Sequence, residues 1–215
     1  MHISNVKAVI FDVDGVLIDT ERLWRKEGGS YILKCAPDFP LDHQKYLMGR
    51  SLTDIYHWLE ADYGMTGIAL DDFLQGYLEF GIEHIFSKCD LSPNIEECLQ
   101  RLSKTHPVAL ASASPHFWID YALERFGIRK YFNAVVSSDD VAGKGKPAPD
   151  IFLHAAQQVD TDPSECLVIE DSSHGIAAGV AAGMHTLAYL NGYNDHQDHS
   201  QAHGEFSDFA RLTVE

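Results

Sequence analysis

Two hydrophobic periods alternate along this chain. Lys7–Phe11 carries the unbroken apolar run Val9-Ile10-Phe11, built of strand-favouring side chains, and predicts a short buried strand. Comparable runs recur at Val108–Ser112, Ala134–Ser137, Leu167–Ile169 and Thr186–Leu190. Between them the spacing lengthens to that of helices, over Ile95–Ser103, Phe117–Phe126, Asp150–Val159 and Gly175–Ala182. Pro149 introduces the third of these helices in the place proline favours. Alternation of this kind predicts an α/β fold, a mostly parallel sheet with right-handed crossovers. One long stretch interrupts it. No β-branched, strand-like run falls between about Leu23 and Asp90, where helical spacing covers Glu21–Lys34, Leu41–Leu47, Leu52–Tyr63 and Leu70–Phe86. The Gly28-Gly29 pair is expected to weaken or bend the first of these. Asp54 and Asp71-Asp72 stand where they complement helix N-termini. From Asn191 the chain is polar until Phe206, which predicts a loop and a short terminal element with His196, His199 and His203 on the surface.

Size and charge narrow the function classes. A chain of 215 residues suits one large domain, or one core domain with a small insertion. With 45 % hydrophobic residues it has the composition of a soluble globular protein. Lys and Arg number 16 against 32 Asp and Glu, a formal charge of −16, which disfavours nucleic acid and anionic membrane as partners. An anionic substrate therefore needs a local positive site made of a metal, lysines or backbone N–H groups. Between Ser51 and Ser87 there is no Lys or Arg, and Asp54, Glu60, Asp62, Asp71, Asp72, Glu79 and Glu83 read as a solvated acidic face. The opening MHISN has no apolar run of the signal-peptide kind, and no later run reaches membrane-spanning length, so the cytoplasm is the expected compartment. Cys35, Cys89, Cys98 and Cys166 are widely spaced with no CxxC, so neither a zinc knot nor a disulfide framework is suggested.

Chemistry gathers after the predicted strands. The first is followed by Asp12, Asp14 and Gly15, the second by Ser112, Ala113 and Ser114. The third leads to a loop holding Lys144 and Lys146 ahead of Pro147, and the fourth to Glu170, Asp171, Ser172 and Ser173. In a parallel sheet these positions share the C-terminal edge, where α/β proteins bind ligands. Paired carboxylates there need a cation or a shared proton to offset their repulsion. Asp12 and Asp171, with Glu170 beside them, are hard oxygen donors suited to Mg2+. The Ser112 hydroxyl and the N–H groups after it suit phosphate oxygens, and Lys146 adds a mobile charge. Such a set fits phosphoryl transfer, where placement and charge neutralisation are most of the task. No GxxxxGK[ST] occurs, which excludes a nucleotide-binding P-loop, and no GxGxxG follows the first strand.

Four motifs resemble those of the haloacid dehalogenase superfamily: FDVDGV from Phe11, LAS ending at Ser112, GKPAPD from Gly145 and VIEDSSHGIAAGVAAGM from Val168. Their spacing is similar to the branch that contains β-phosphoglucomutase and small sugar-phosphate phosphatases. The resemblance implies a Rossmann-like, mostly parallel core over 1–17 and 92–215, with a four-helix cap inserted over 18–91. It implies Asp12 as the nucleophile that becomes an aspartyl-phosphate, Asp14 as general acid/base, and Ser112 and Lys146 as holders of the phosphoryl group. It also implies Mg2+ bound by Asp12, the Asp14 carbonyl and Asp171, with Glu170 in the inner or outer shell.

The cap governs what enters, and its substrate-facing candidates are Trp24, Arg50, His57 and, from the core, Ala113 and His116. Arg50, in LMGRS, resembles the arginine with which mutase caps grip the non-transferring phosphate. Trp24, in DTERLW, stands where a mutase cap has a histidine and where hexose-phosphate phosphatases carry an aromatic residue. The cap lysine expected near Tyr77 is absent. A mutase must keep water from its phosphoenzyme, so missing cap contacts weigh most against that activity. The expectation is a Mg2+-dependent phosphatase acting on a small phosphorylated metabolite, with a β-phosphoglucomutase-type activity as the alternative. A non-catalytic phosphometabolite-binding module is a further alternative, against which stand the intact Asp12, Asp14, Ser112, Lys146 and Asp171. The helical block is expected to act as a lid.

Overall fold

The computed structural model describes residues 2–47, 52–141 and 144–215. The chain divides into two compact units, one of Met1–Asp19 with Asp90–Glu215 and the other of Thr20–Cys89.

In the first unit the apolar runs become buried strands. A short β1 (His2–Ile3) precedes β2 (Ala8–Phe11), which is buried at every position. It is followed by β3 (Val108–Ser112), β4 (Ala134–Ser137), β5 (Cys166–Glu170) and β6 (His185–Tyr189). Two further strands are β7 (Gly204–Phe206) and β8 (Thr213–Val214). Six of them form one sheet in the order β4-β3-β2-β5-β6-β7, parallel throughout, while β1 pairs with β8. Strands covered on both faces are continuous in apolar character, as β2, β3 and β5 are. Ile10, Ala109, Val136 and Val168 from the strands join Ile151, Phe152, Ala155 and Ala178 in one buried cluster. Each large side chain so buried contributes roughly 1.5–3 kcal/mol. The strand order is the doubly wound one, and its direction reverses between β2 and β5, where such sheets open a crevice at their C-terminal edge.

In the second unit, α1 (Thr20–Cys35) is followed by a 3-10 segment over Leu41–Tyr46, then α2 (Leu52–Tyr63) and α3 (Leu70–Gly81). The architecture is thus an α/β Rossmann-like core with an inserted helical cap. Aromatic side chains hold the cap together: Tyr31 meets Phe73, Tyr77 and Phe80 edge-on or tilted, and Phe39, Trp58 and Tyr63 form a second cluster.

Several expectations are corrected here. The second cap helix is a 3-10 segment, and the fourth passes from α3 into a π-helical turn over Ile82–Phe86. Across Gly28 and Gly29, expected to weaken or bend it, α1 continues to Cys35. Both are buried, and a Cβ on Gly29 would stand 2.7 Å from Leu41 Cδ2 and 3.0 Å from Gln44 Oε1. The pair costs helix propensity but lets the 3-10 segment approach the helix closely. The polar tail, expected to be a loop and a short terminal element, holds two strands: Gly204–Phe206 adds the sixth strand of the sheet and Thr213–Val214 pairs with the N-terminal residues. The core helices α4 (Ile95–Leu102), α5 (His116–Phe126), α6 (Asp150–Gln158) and α7 (Ser173–Ala181) lie within two residues of their expected bounds.

Candidate active site

Parallel register sets the site's first row. Phe11 is level with Leu110 on one side and Ile169 on the other, so the next residues, Asp12, Ala111 and Glu170, stand side by side at the C-terminal edge. The Asp12 N–H reaches across to the Ile169 carbonyl at 3.0 Å. Lys146 closes this row. Its ammonium donates to Asp12 Oδ1 at 2.6 Å, Glu170 Oε1 at 2.6 Å and the Ala111 carbonyl at 3.1 Å, acceptors on β5, on β3 and just past the end of β2 between them. Lys146 precedes Pro147, across a cis peptide bond.

Both oxygens of Glu170 accept from protein donors. Besides Lys146 on Oε1, its Oε2 accepts from the Asp171 N–H, the Ser172 N–H and the Ser172 hydroxyl at 2.8–2.9 Å. Ser172 also caps α7 by accepting from the Gly175 N–H at 3.0 Å. A side chain on Gly175 would overlap the Glu170 carboxylate, so only glycine leaves room for this brace. On the other side of Asp12, the Ser112 hydroxyl is buried and accepts from the Ser114 N–H at 3.1 Å, and the Ser114 hydroxyl donates to Asp14 Oδ2 at 2.6 Å.

Charge is in excess here. Asp12, Glu170 and Asp171 are all buried, and one oxygen from each lies within 4.8 Å of the others. Burial pushes the Asp12 carboxyl up to about 8; the Lys146 ammonium opposes this, while Glu170 and Asp14 reinforce it. Burial also lowers the Lys146 ammonium, but Asp12 and Glu170 outweigh it and hold the ammonium above its usual range. A single lysine thus leaves the carboxylates under-neutralised. Clustered hard oxygens with unmet negative charge are what a divalent cation needs, so the donor set fits a metal such as Mg2+.

Of the expected site residues, the fold brings together Asp12, Asp14, Ser112, Lys146, Glu170 and Asp171. Ala113 is exposed on the loop after β3. His116 opens α5, and its ring pairs with Asp140 at 2.8 Å while its N–H donates to Asp139. Trp24 and His57 belong to the cap unit, where Trp24 stacks on Tyr77 with ring centroids 5.9 Å apart and His57 pairs with Glu60. Arg50 lies outside the described residues.

One expectation about the polar tail fails. The His199 side chain is only 7 % exposed, and its ring Nε2 donates to the Asp171 carbonyl at 3.0 Å. His196 and His203 are exposed as expected. Asn191, Asn194 and Gln197 also turn onto the segment from Asp171 to Ser173. Sequence reasoning missed this group because its burial comes from hydrogen bonds, which leave no apolar signature. The available signal was the density of amides and histidines just past a buried strand. Ser114 was legible as a neighbour of Ser112 but not as a partner of Asp14.

The chain matches the family described as haloacid dehalogenase-like hydrolase over residues 6–183. It is 30 % identical over 182 residues to the fructose-1-phosphate phosphatase YqaB of Escherichia coli, covering 82 % of this chain and 92 % of that one. The fold superimposes on CbbY of Rhodobacter sphaeroides in complex with xylulose-1,5-bisphosphate with a TM-score of 0.83, at 22 % identity and 97 % coverage of each chain. The β-phosphoglucomutase of Clostridium difficile gives a TM-score of 0.76 at 25 % identity, with 97 % of this chain and 93 % of that one covered. With more than half its length matched by the family, and the acidic cluster set at the sheet's reversal, the chain belongs to the haloacid dehalogenase-like hydrolases.

Proposed function

We propose that this protein is a Mg2+-dependent phosphatase that hydrolyses a small phosphate monoester, a sugar or polyol phosphate, through an aspartyl-phosphate on Asp12. The observation that carries the reading is the placement of Asp12 in one row with Lys146 and Glu170, two residues before Asp14. In the first half-reaction an Asp12 oxygen attacks phosphorus, the bond to the leaving oxygen breaks, and Asp14 protonates that oxygen. In the second, Asp14 takes a proton from water, the water oxygen attacks phosphorus, and phosphate leaves with the Asp12 carboxylate restored. Ser112 and Lys146 hold the phosphoryl oxygens, and Glu170 keeps Lys146 in place. When bound by Asp12, the Asp14 carbonyl and Asp171, a divalent cation supplies the charge that allows a carboxylate to approach a dianionic phosphate.

The kinship with a fructose-1-phosphate phosphatase supports a phosphorylated carbohydrate as substrate. Arg50, together with the likeness to a β-phosphoglucomutase, supports the alternative of phosphohexose isomerisation. The test is a hydrolysis screen over phosphorylated sugars, polyols and short acids with Mg2+, with glucose 1-phosphate assayed in parallel for conversion to its 6-phosphate. Phosphate release from a sugar or polyol phosphate, lost in Asp12→Asn, is expected. Conversion without release would establish the mutase, and full activity in Asp12→Asn would end the covalent mechanism.

A further inference from the structure

Asn191 follows β6 and carries a carboxamide with a defined orientation. Its Oδ1 accepts the Tyr193 N–H at 2.8 Å, which assigns the opposite end of the group as the donor. That donor, Nδ2, reaches Asp171 Oδ2 at 2.9 Å and the Gly15 carbonyl at 3.0 Å. The two acceptors belong to the segments after β5 and β2, the strands between which the sheet reverses. One side chain therefore ties the Asp171 carboxylate to the loop that carries Asp14. The Asp171 main chain is held separately, its carbonyl accepting from Asn194 Nδ2 at 2.9 Å and from His199 Nε2 at 3.0 Å. Asn194 is buried and gives a second bond to the Tyr189 carbonyl, anchoring the loop to the sheet.

We propose that Asn191 is a positioning residue for the cation site: it fixes the Asp171 carboxylate relative to the loop carrying Asp14, and so sets the site's affinity for a divalent metal. The inference rests on the metal reading of the Asp12–Glu170–Asp171 cluster. Repulsion among three buried carboxylates favours any rotamer that moves Asp171 away from Asp12, and a directed donor on one of its oxygens opposes that movement. The choice of an amide is informative. A lysine in this place would hold Asp171 equally well but would neutralise it and repel the incoming cation, whereas a neutral donor orients the ligand and leaves its charge for the metal. Outer partners of this kind alter metal affinity by about 10–100-fold when removed.

The test is titration of the full-length protein with Mn2+, followed by the electron paramagnetic resonance of the free ion and with no substrate present. Asn191→Ala and Asn191→Leu, the latter close in shape but without a donor, are compared with wild type and with Asp171→Asn. We expect both Asn191 variants to bind Mn2+ about 10–100-fold more weakly. In EDTA they should remain folded and melt no more than about 10 °C below wild type, the loss expected for a hydrogen bond to a charged group. Unchanged Mn2+ affinity in both variants overturns the proposal. So does a large loss of melting temperature in EDTA, which makes Asn191 structural only; if the alanine protein does not fold, the leucine protein decides. A wild-type protein that binds no Mn2+, or an Asp171→Asn protein that binds it undiminished, overturns the metal reading itself.

Discussion

Lys146 and Lys144 stand two positions apart in one loop, and their surroundings separate them. The Lys144 side chain is 70 % exposed and pairs with Asp150 at 3.3 Å, an arrangement worth at most about 1 kcal/mol. Lys146 is 6 % exposed between two carboxylates that are themselves buried. Removing it leaves the buried Glu170 carboxylate without its counter-charge, a loss of about 3–5 kcal/mol in comparable buried pairs. On the proposed mechanism it also removes a charge that holds the transferring group. Lys146→Ala should therefore reduce kcat by roughly a hundredfold to a thousandfold and lower the melting temperature in EDTA. Lys144→Ala should stay within about twofold of wild type in rate. Steady-state kinetics and thermal melts of the two variants check this, and equal defects would mean that the loop roles are misassigned.

The start of α7 shows the same logic at the scale of an element. Its first turn is shaped around the Glu170 carboxylate, which receives two N–H groups and the capping hydroxyl of Ser172, and Gly175 provides the space. Gly175→Ala improves helix propensity by about 1 kcal/mol. In this place it should nevertheless destabilise the protein, by about 1–3 kcal/mol, because the new methyl group must displace a buried carboxylate. The displaced Glu170 no longer holds Lys146, so kcat should fall with stability. Chemical denaturation and kinetics of this one variant test both consequences. A stabilised, fully active Gly175→Ala protein would show that the brace is dispensable.

For the whole molecule, the under-neutralised site should make stability depend on pH and, on the proposed metal reading, on the cation as well. Without metal, folding raises the Asp12 carboxyl from 3.8 to about 8, so the folded state holds a proton that the unfolded chain has released between those values. The sign follows directly: the contribution is complete below about pH 4 and is lost as pH rises towards 8, at roughly 1.4 kcal/mol per pH unit for one proton. Wild type in EDTA should thus lose stability relative to Asp12→Asn, which cannot titrate, between about pH 5 and 8. Saturating Mg2+ should remove the loss, since the cation replaces the proton, and its apparent affinity should rise over the same range. Melting curves of both proteins across pH, with EDTA and with Mg2+, check the sign. A wild-type protein that gains on the variant as pH rises in EDTA would contradict it. Among the described residues, no helix is long and apolar enough to cross a membrane.

What the sequence determined by itself was the alternation of elements and the chemistry at their ends. Buried parallel strands are continuous apolar runs, so Val108–Ser112 and Ala134–Ser137 were legible to the residue, and the charged residues after them stood out against that background. Local signals failed where structure depends on partners distant in the chain. Gly204–Phe206 is an edge strand joined to β6 on one side only, so it needs a backbone ladder but no apolar run. Gly28 and Gly29 read only as a weak point in the first cap helix, because the 3-10 segment they accommodate lies beyond the local window. Tertiary structure alone decided that His199 is buried, that Asn191 spans Gly15 and Asp171, and that Ser114 reaches Asp14 across 100 positions. Polar side chains are buried by hydrogen bonds whose partners the sheet brings together. A strand's apolar pattern is written in its own residues, whereas a hydrogen bond between Asn191 and Asp171 exists only once β5 and β6 lie side by side.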